Sequence, residues 1–322
     1  MDRVKLGRSG LEVSRICLGT MTFGGQADED AARRMVDRCL DAGVNFFDTA
    51  NVYGQGRAET ILGRALGGRR QQVVVASKVR GVMKDAPGES GLSKSQILRA
   101  IDSTLRRLGT DYLDIYYLHQ PDYTVPLEES LGAIDELVRA GKVRHPASSN
   151  YAAWQVVQML WMAKERGWHA PYISQPMYNL LARGIEQEYL PMCRESGVAT
   201  VVYNPLAGGL LTGKQNVQAP IAGSRFDKNQ MYLDRYWHPA CFDAVEELRG
   251  LAHREGRPLA SLALNWLLYH TPADCVILGA SRIEQLEENL KALDDGPLSE
   301  AALAGCDAVW NTLRGITPRY NR

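Results

Sequence analysis

Four side chains, Asp48, Tyr53, Lys78 and His119, are of the types that move a proton to or from an oxygen. Three of them close short apolar runs. Val44-Asn45-Phe46-Phe47 leads into Asp48, Val73-Val74-Val75-Ala76-Ser77 into Lys78, and Tyr112-Leu113-Asp114-Ile115-Tyr116-Tyr117-Leu118 into His119. Tyr53 lies five residues past Asp48 and can bend back over the same spot. Singly, each has a plain reading: an aspartate caps a turn, a lysine is solvated, a histidine makes a structural hydrogen bond, a loop tyrosine packs. An acid, a lysine and a histidine closing three consecutive runs is a pattern that solvated loop residues seldom make.

The cluster suits reduction of a carbonyl. Hydride arriving at carbon leaves negative charge growing on oxygen, and that oxygen needs a proton. A phenol titrates at about 10, too high for efficient transfer near neutrality, and a nearby ammonium stabilises its phenolate. A carboxylate holds the ammonium in place, and an imidazole orients the carbonyl oxygen by a hydrogen bond. No side chain carries hydride, so this chemistry requires a cofactor.

The elements that would position these groups alternate. Strand-like runs at 16–20, 44–48, 73–78, 112–119, 143–149, 172–175, 198–203 and 275–278 are separated by helical spacing. The intervening helices fall near 28–40, with Asp28 as N-cap and Ala31, Met35, Val36, Cys39 and Leu40 on one face, and at 59–66, 95–108, 127–140, 152–166 and 186–195. Two more, at 240–254 and 259–269, follow a long irregular stretch. Gly109 and Gly167 sit just past helices, where a left-handed cap favours glycine. Eight strand-then-helix units in 322 residues predict a closed (β/α)8 TIM barrel, an α/β fold spanning residues 1–322 as one domain. The rival, a doubly wound open sheet, wants a dinucleotide glycine pattern after its first strand, which Gly19-Thr20-Met21-Thr22-Phe23-Gly24-Gly25 does not match. Val4–Leu6 and Leu11–Val13 flank Gly7-Arg8-Ser9-Gly10 as an N-terminal β-hairpin closing the barrel's N-terminal end, and 299–313 reads as an extra C-terminal helix. Barrel chemistry gathers at the C-terminal ends of the strands. There the remaining strands present Ser149-Asn150, Gln175, Tyr203-Asn204 and Gly279.

Other classes fall away. Lys+Arg and Asp+Glu are both 37, so the formal net charge is zero, which speaks against a nucleic-acid partner recruited by bulk charge. No apolar stretch approaches the ~18 residues of a spanning helix, so no membrane insertion is expected. The N-terminus lacks the shape of a signal peptide, and six scattered cysteines without a CxxC pair indicate reduced thiols, hence a cytoplasmic protein. The six histidines form no HxH or HExxH pair, so no metal is expected. Gly208-x-x-x-x-Gly213-Lys214 nearly spells a phosphate-binding loop, but Gln215 stands where the metal-binding hydroxyl belongs. There is no TyrxxxLys pair either. Homo-oligomerisation is left open.

On these residues the chain resembles the aldo-keto reductases over essentially its whole length. Phe47-Asp48-Thr49-Ala50-Asn51-Val52-Tyr53-Gly54 is similar to the family's aspartate–tyrosine motif, Ala76-Ser77-Lys78 to its lysine, and His119-Gln120-Pro121-Asp122 to its histidine. Leu18-Gly19-Thr20-Met21-Thr22-Phe23-Gly24-Gly25-Gln26 and Gly91-Leu92-Ser93 lean toward the branch holding the potassium-channel β subunits and related bacterial reductases. The resemblance implies reduction of aldehydes or ketones to alcohols, with Tyr53 as proton donor, Lys78 and Asp48 tuning it, and His119 orienting a small-molecule carbonyl substrate.

The resemblance also implies NADPH as cofactor. Thr20, Met21 and Gln26 would lie near the nicotinamide end together with Asp48. Ser149, Asn150 and Gln175 would hold the carboxamide, and Tyr203 would stack on the ring. Asn204-Pro205-Leu206-Ala207-Gly208 through Lys214 would wrap the pyrophosphate, with Arg225 reaching the same phosphates. Gly279, Ser281 and Arg282 precede a helix, where the last two would grip a 2′-phosphate. Gln285, Glu288 and Asn289 would hold the adenosine. The family's fifth strand commonly has a branched residue and glycine before its Ser-Asn. Here it reads Arg144-His145-Pro146-Ala147-Ser148-Ser149-Asn150, and proline removes a ladder donor, so a bulge is expected.

Met21, Phe23, Met83, Tyr123 and Phe226 fall near the barrel-top loops, and some of them would line a substrate pocket. Tyr232, Tyr236 and Trp237 have two readings, as pocket wall or as anchors of the long loop after the seventh run. A second functional reading is an NADPH-binding regulatory or accessory subunit with weak reductase activity. A histidine at 119 favours working catalysis over that reading.

Overall fold

The computed structural model describes residues 1–316, so residues 317–322 of the expected 1–322 domain lie outside the described residues. Strands β1 (Arg3–Lys5) and β2 (Glu12–Ser14) pair antiparallel as the expected hairpin. The next eight are β3 (Ile16–Gly19), β4 (Phe46–Asp48), β5 (Val74–Val79), β6 (Leu113–Leu118), β7 (Val143–Ser149), β8 (Ile173–Gln175), β9 (Ala199–Val202) and β10 (Cys275–Gly279). They pair parallel in sequence order, and β10 returns to β3, closing a barrel. This is the (β/α)8 TIM-barrel architecture.

Helices α1 (Glu29–Asp41), α2 (Arg57–Leu66), α3 (Lys94–Leu108), α4 (Leu127–Arg139) and α5 (Ala153–Arg166) alternate with these strands. Farther along come α6 (Tyr189–Ser196), α7 (Gln230–Tyr236), α8 (Pro239–Arg254), α9 (Leu259–His270), α10 (Ile283–Ala292) and α11 (Glu300–Arg314), the last being the expected extra helix. Asp28 caps α1, its side chain accepting the Ala31 N–H at 2.8 Å. The buried stripe of α1 is Ala32, Met35, Val36 and Cys39, so Ala31 and Leu40, expected on it, are only half-buried. Counting from Ala32 gives the i, i+3/i+4, i+7 spacing of one helix face. Gly109 ends α3 and Gly167 ends α5, both left-handed, at φ 65° and 64°.

The chain divides into two compact units. The first comprises residues 1–176, 191–202 and 274–283 and contains all eight barrel strands; the second comprises 177–190, 203–273 and the chain from Glu284 onward. Within the second, α8 packs on α9 and α11, and Arg183 ties Glu186 at 2.7 Å to Asp307 at 2.8 Å. Among the described residues no helix is long and apolar enough to cross a membrane. All six cysteines are buried and free.

Pro146 does not bulge its strand. The β6–β7 register runs without offset through Ile115↔His145, Tyr116↔Pro146, Tyr117↔Ala147 and Leu118↔Ser148. Pairing of β7 with β8 involves only Ser148 and Ser149, so the proline's missing donor falls ahead of that ladder.

The hairpin does close the N-terminal end. Leu6 and Val13 are fully buried, and the Arg8 N–H donates to the Gly197 carbonyl at 3.3 Å. Ser14 and Asn45 exchange hydrogen bonds at 2.7 and 3.1 Å, locking the hairpin to the start of β4. Gly7 sits at φ 50°, and a Cβ there would lie 2.6 Å from the Gly197 oxygen and 2.9 Å from the Ala199 nitrogen. Both contacts are backbone and cannot swing aside. Gly7→Ala should therefore cost about 1–3 kcal/mol through overpacking and backbone strain. In urea unfolding its midpoint should fall with an unchanged slope, and an unchanged midpoint would mean the turn is not seated on the barrel.

Candidate active site

Asp48 and Lys78 stand at the C-terminal ends of neighbouring strands. The register pairs Asp48 with Ala76, two residues before Lys78, and Lys78 with Tyr117 of β6. Alternation along β5 turns Lys78 inward and Ser77 outward. Lys78 is wholly buried, and its ammonium donates to Asp48 Oδ1, to the Thr49 carbonyl at 2.7 Å and to the Tyr53 hydroxyl at 3.3 Å. Tyr53 reaches this point because the chain turns tightly after β4: the Thr49 N–H donates to the Ala76 carbonyl and the Tyr53 N–H to that of Ala50. Its ring meets that of His119 edge-on, with centroids 6.0 Å apart. The structure thus gathers the four residues that the sequence singled out.

The electrostatics follow from burial. Desolvation raises the Asp48 carboxyl, opposed by the Lys78 charge and by hydrogen bonds from Lys78 and Gln175. Desolvation also acts against the Lys78 ammonium, but Asp48 and Tyr53 outweigh it and hold the ammonium above its ordinary value. The lysine is therefore charged near neutrality. His119 is pulled down to about 3, chiefly by burial, with Lys78 and Arg80 adding like charge. It is a neutral imidazole that can donate one hydrogen bond.

Several residues expected near a cofactor's reactive end join the same network. Gln175 Nε2 donates to Asp48 Oδ2 at 2.8 Å, reaching across the barrel from β8. Ser149 donates to the Gln175 carbonyl at 2.9 Å, and Asn150 Nδ2 donates to the His119 carbonyl at 2.9 Å and to the Ser149 hydroxyl at 3.0 Å. The Thr20 N–H and hydroxyl both reach the Asp48 carbonyl, at 2.9 and 3.1 Å. Met21 and Gln26 are exposed beyond β3. Gly279 ends β10 with no heavy atom within 4 Å of the place a Cβ would take. Ser281 is half-buried and Arg282 exposed just before α10.

In the second unit, Tyr203 is half-buried and its carbonyl accepts the Tyr178 N–H at 3.2 Å. Asn204, at φ 64°, opens the turn through Pro205, Leu206, Ala207 and Gly208. Its Oδ1 accepts the Gly208 N–H at 2.6 Å and its Nδ2 donates to the Tyr236 hydroxyl at 2.8 Å. Lys214 is exposed, and the Arg225 guanidinium lies 5.5 Å from the Tyr232 ring centroid. On α10, Gln285 is half-buried, Glu288 exposed and Asn289 buried. The aromatic side chains of the long loop pack on one another: Phe226 lies 5.1 Å from Trp237 and 6.0 Å from Tyr232 between centroids. They act as anchors. Phe23 and Met83 are also buried, whereas Met21 and Tyr123 are exposed.

Sequence reasoning missed the support behind β5. Glu59 is fully buried and accepts from Ser77 at 2.5 Å, Thr104 at 3.0 Å and Arg107 at 2.6 Å. Arg107 continues to Glu89 at 3.3 Å, and the Glu89 carbonyl accepts from Asn51 at 3.4 Å, in the turn that carries Tyr53. A signal was present: Glu59 falls on the face of α2 that otherwise buries Leu62 and Leu66.

Fold and cluster together define a TIM-barrel protein with a buried aspartate–lysine pair under a tyrosine at the C-terminal rim. The chain belongs to the Aldo/keto reductase family, a sequence model of which matches residues 15–311. It is an oxidoreductase by that membership. It is similar to the uncharacterized oxidoreductase YrpG of Bacillus subtilis (strain 168), 38% identical over 91% of each chain. It is similar also to a probable voltage-gated potassium channel subunit beta of Arabidopsis thaliana, 36% identical over 92% of this chain and 93% of the relative. Aflatoxin B1 aldehyde reductase member 2 of Mus musculus is 37% identical over 95% of this chain and 87% of its own.

The neutral His119 predicts a pH effect on stability. Its folded value lies below the unfolded 6.5, so between about 6.5 and 3 the unfolded chain takes up a proton that the folded one refuses. Stability is present above that window and falls as pH drops through it, by at most about 1.4 kcal/mol per pH unit from this group. Urea unfolding from pH 6.5 to 4 should show a steeper loss for the wild type than for His119→Gln. Parallel losses would contradict a neutral, desolvated imidazole.

Proposed function

We propose that the chain is an NADPH-dependent reductase that converts aldehydes and ketones to alcohols. The observation that carries this reading is the Lys78 ammonium, which touches both Asp48 and, at 3.3 Å, the Tyr53 hydroxyl. Bound NADPH would supply the hydride to the carbonyl carbon. Tyr53 Oη then gives its proton to the carbonyl oxygen, and the phenolate left behind faces the ammonium, which favours that form. Asp48 keeps the ammonium oriented, and Gln175 in turn keeps the Asp48 carboxylate oriented. His119, uncharged, donates a hydrogen bond to the carbonyl oxygen without competing as an acid. Reductase names among the relatives, aflatoxin B1 aldehyde reductase above all, support the substrate class.

The residues available for the cofactor have suitable chemistry. Open space beyond Gly279, then Ser281 and the exposed Arg282 at the start of α10, suit a phosphate at a helix N-terminus. Within the second unit, Lys214 and Arg225 are cations of the kind that suits a pyrophosphate, and half-buried Tyr203 has an aromatic face of the kind that stacks on a nicotinamide. Thr20, Ser149 and Asn150 would frame the nicotinamide end. On this reading the chain works as one barrel domain in a reducing, cytoplasmic setting, in keeping with its six free thiols.

The likeness to a plant channel β subunit supports a second reading, an NADPH-binding regulatory subunit with weak turnover. NADPH consumption against a panel of aldehydes and ketones separates the two, with binding followed by fluorescence. Binding with clear turnover is expected, and binding with only trace turnover would favour the regulatory reading. Arg282→Ala should weaken NADPH far more than NADH, and an equal loss for both would remove the 2′-phosphate assignment.

A further inference from the structure

Trp154 and Trp161 are each 66% exposed, whereas the other four tryptophans of the chain are half-buried or buried. Both belong to α5 and stand seven residues apart, so they share one face, two turns and about 10 Å from each other along the axis. The opposite face of the helix packs inward, burying Gln155, Val156, Met159 and Ala163. Trp168, just past the helix, has found a neighbour: a Cβ at Gly132 of α4 would lie 3.3 Å from its ring, and it is half-buried. Among the described residues no element covers Trp154 or Trp161 in that way.

The face around the two rings is uncharged. From Ala152 to Ala163 the sequence holds no ionisable side chain, and Val157 and Gln158 point the same way as the tryptophans that bracket them. Charges enter only in the last turn, where Arg166 pairs with Glu128 at 2.5 Å and Lys164 and Glu165 are exposed with opposite signs. A nucleic acid, an anionic lipid surface or a charged peptide has nothing to pair with on such a face. The exposed area is large for a single helix. With roughly 250 Å² on a tryptophan, the two rings leave ~330 Å² open on one chain and ~660 Å² on a pair of such faces. That is about half of the ~1,200 Å² at which stable interfaces begin, before Val157, Gln158 and the half-exposed Leu160 and Met162 are added.

We infer that α5 is a self-association surface, on which a second copy of this chain packs its own α5 antiparallel about a two-fold axis. The stripe is symmetric about Val157 and Gln158. A two-fold there sets Trp154 opposite the partner's Trp161 and Val157 opposite the partner's Gln158, so one patch serves both copies. Lys164 and Glu165 fall outside the overlap, which gives an apolar centre with a polar rim. The small area sets the strength, a reversible dimer with micromolar dissociation rather than an obligate one. The pairing involves none of the tetrad and does not depend on the reductase reading.

Sedimentation equilibrium of the full chain across the micromolar range tests it. The wild type should pass from monomer to dimer, and Trp154→Gln/Trp161→Gln should weaken association at least about a hundredfold, with circular dichroism showing the variant folded. A second variant, Val157→Cys/Gln158→Cys, keeps both tryptophans and sets thiols facing each other across the axis. Because all six native cysteines are buried, oxidation with diamide should crosslink this variant into a dimer and leave the wild type uncrosslinked. A wild type that stays monomeric, a dimer that survives loss of both tryptophans, or a thiol pair that does not crosslink overturns the inference. Cosedimentation of the wild type with phosphatidylcholine vesicles, lost in the glutamine variant, would assign the face to a lipid surface and overturn it as well.

Discussion

A charged lysine with no exposed surface needs a partner, and in this barrel nearly every feature of the rim serves that need. Taking a carboxylate and an ammonium out of water costs several kcal/mol for each ion, and their attraction repays this only with good geometry and further hydrogen bonds. Lys78 donates those bonds to Asp48, the Thr49 carbonyl and Tyr53, while Asp48 accepts one more from Gln175 across the barrel. A tyrosine drawn into that set is bound to a positive charge, and this is the property that proton donation to a nascent alkoxide requires.

The parallel barrel provides the geometry. Alternation along each strand sends Lys78, Tyr117, Ser149 and Gln175 to the interior, and the registers of β4, β5 and β6 step Asp48, Lys78 and His119 along the same rim, each two residues beyond the register partner of the one before. Behind β5, Glu59 and Arg107 grip Ser77 on the outer face and, through Glu89, the turn that carries Tyr53. The strand bearing the lysine is thus held from both sides. The hairpin closes the opposite end, where Gly7 lies against the start of β9.

Much of this was legible in the sequence because it depends on local pattern. Strand-then-helix alternation produced the barrel, and polar residues ending apolar runs marked Asp48, Lys78 and His119. What escaped depended on tertiary detail. Pro146 looked disruptive because its neighbours' register cannot be read from one strand, and the pairing with β8 turned out to start after it. Ala31 and Leu40 were placed on the core face of α1 because periodicity fixes a stripe only to within a residue. The Asp48–Gln175 bond joins residues far apart in the chain, and no spacing rule connects them.

The central claim is that the Tyr53 hydroxyl, seated on Lys78, delivers the proton. Single-turnover reduction of an aldehyde by saturating NADPH tests it most directly, with Tyr53→Phe compared to the wild type and NADPH affinity measured on both. Removal of the one proton donor in contact with the ammonium should lower the rate at least about a hundredfold while leaving NADPH affinity nearly intact. A Tyr53→Phe rate close to that of the wild type would contradict the account.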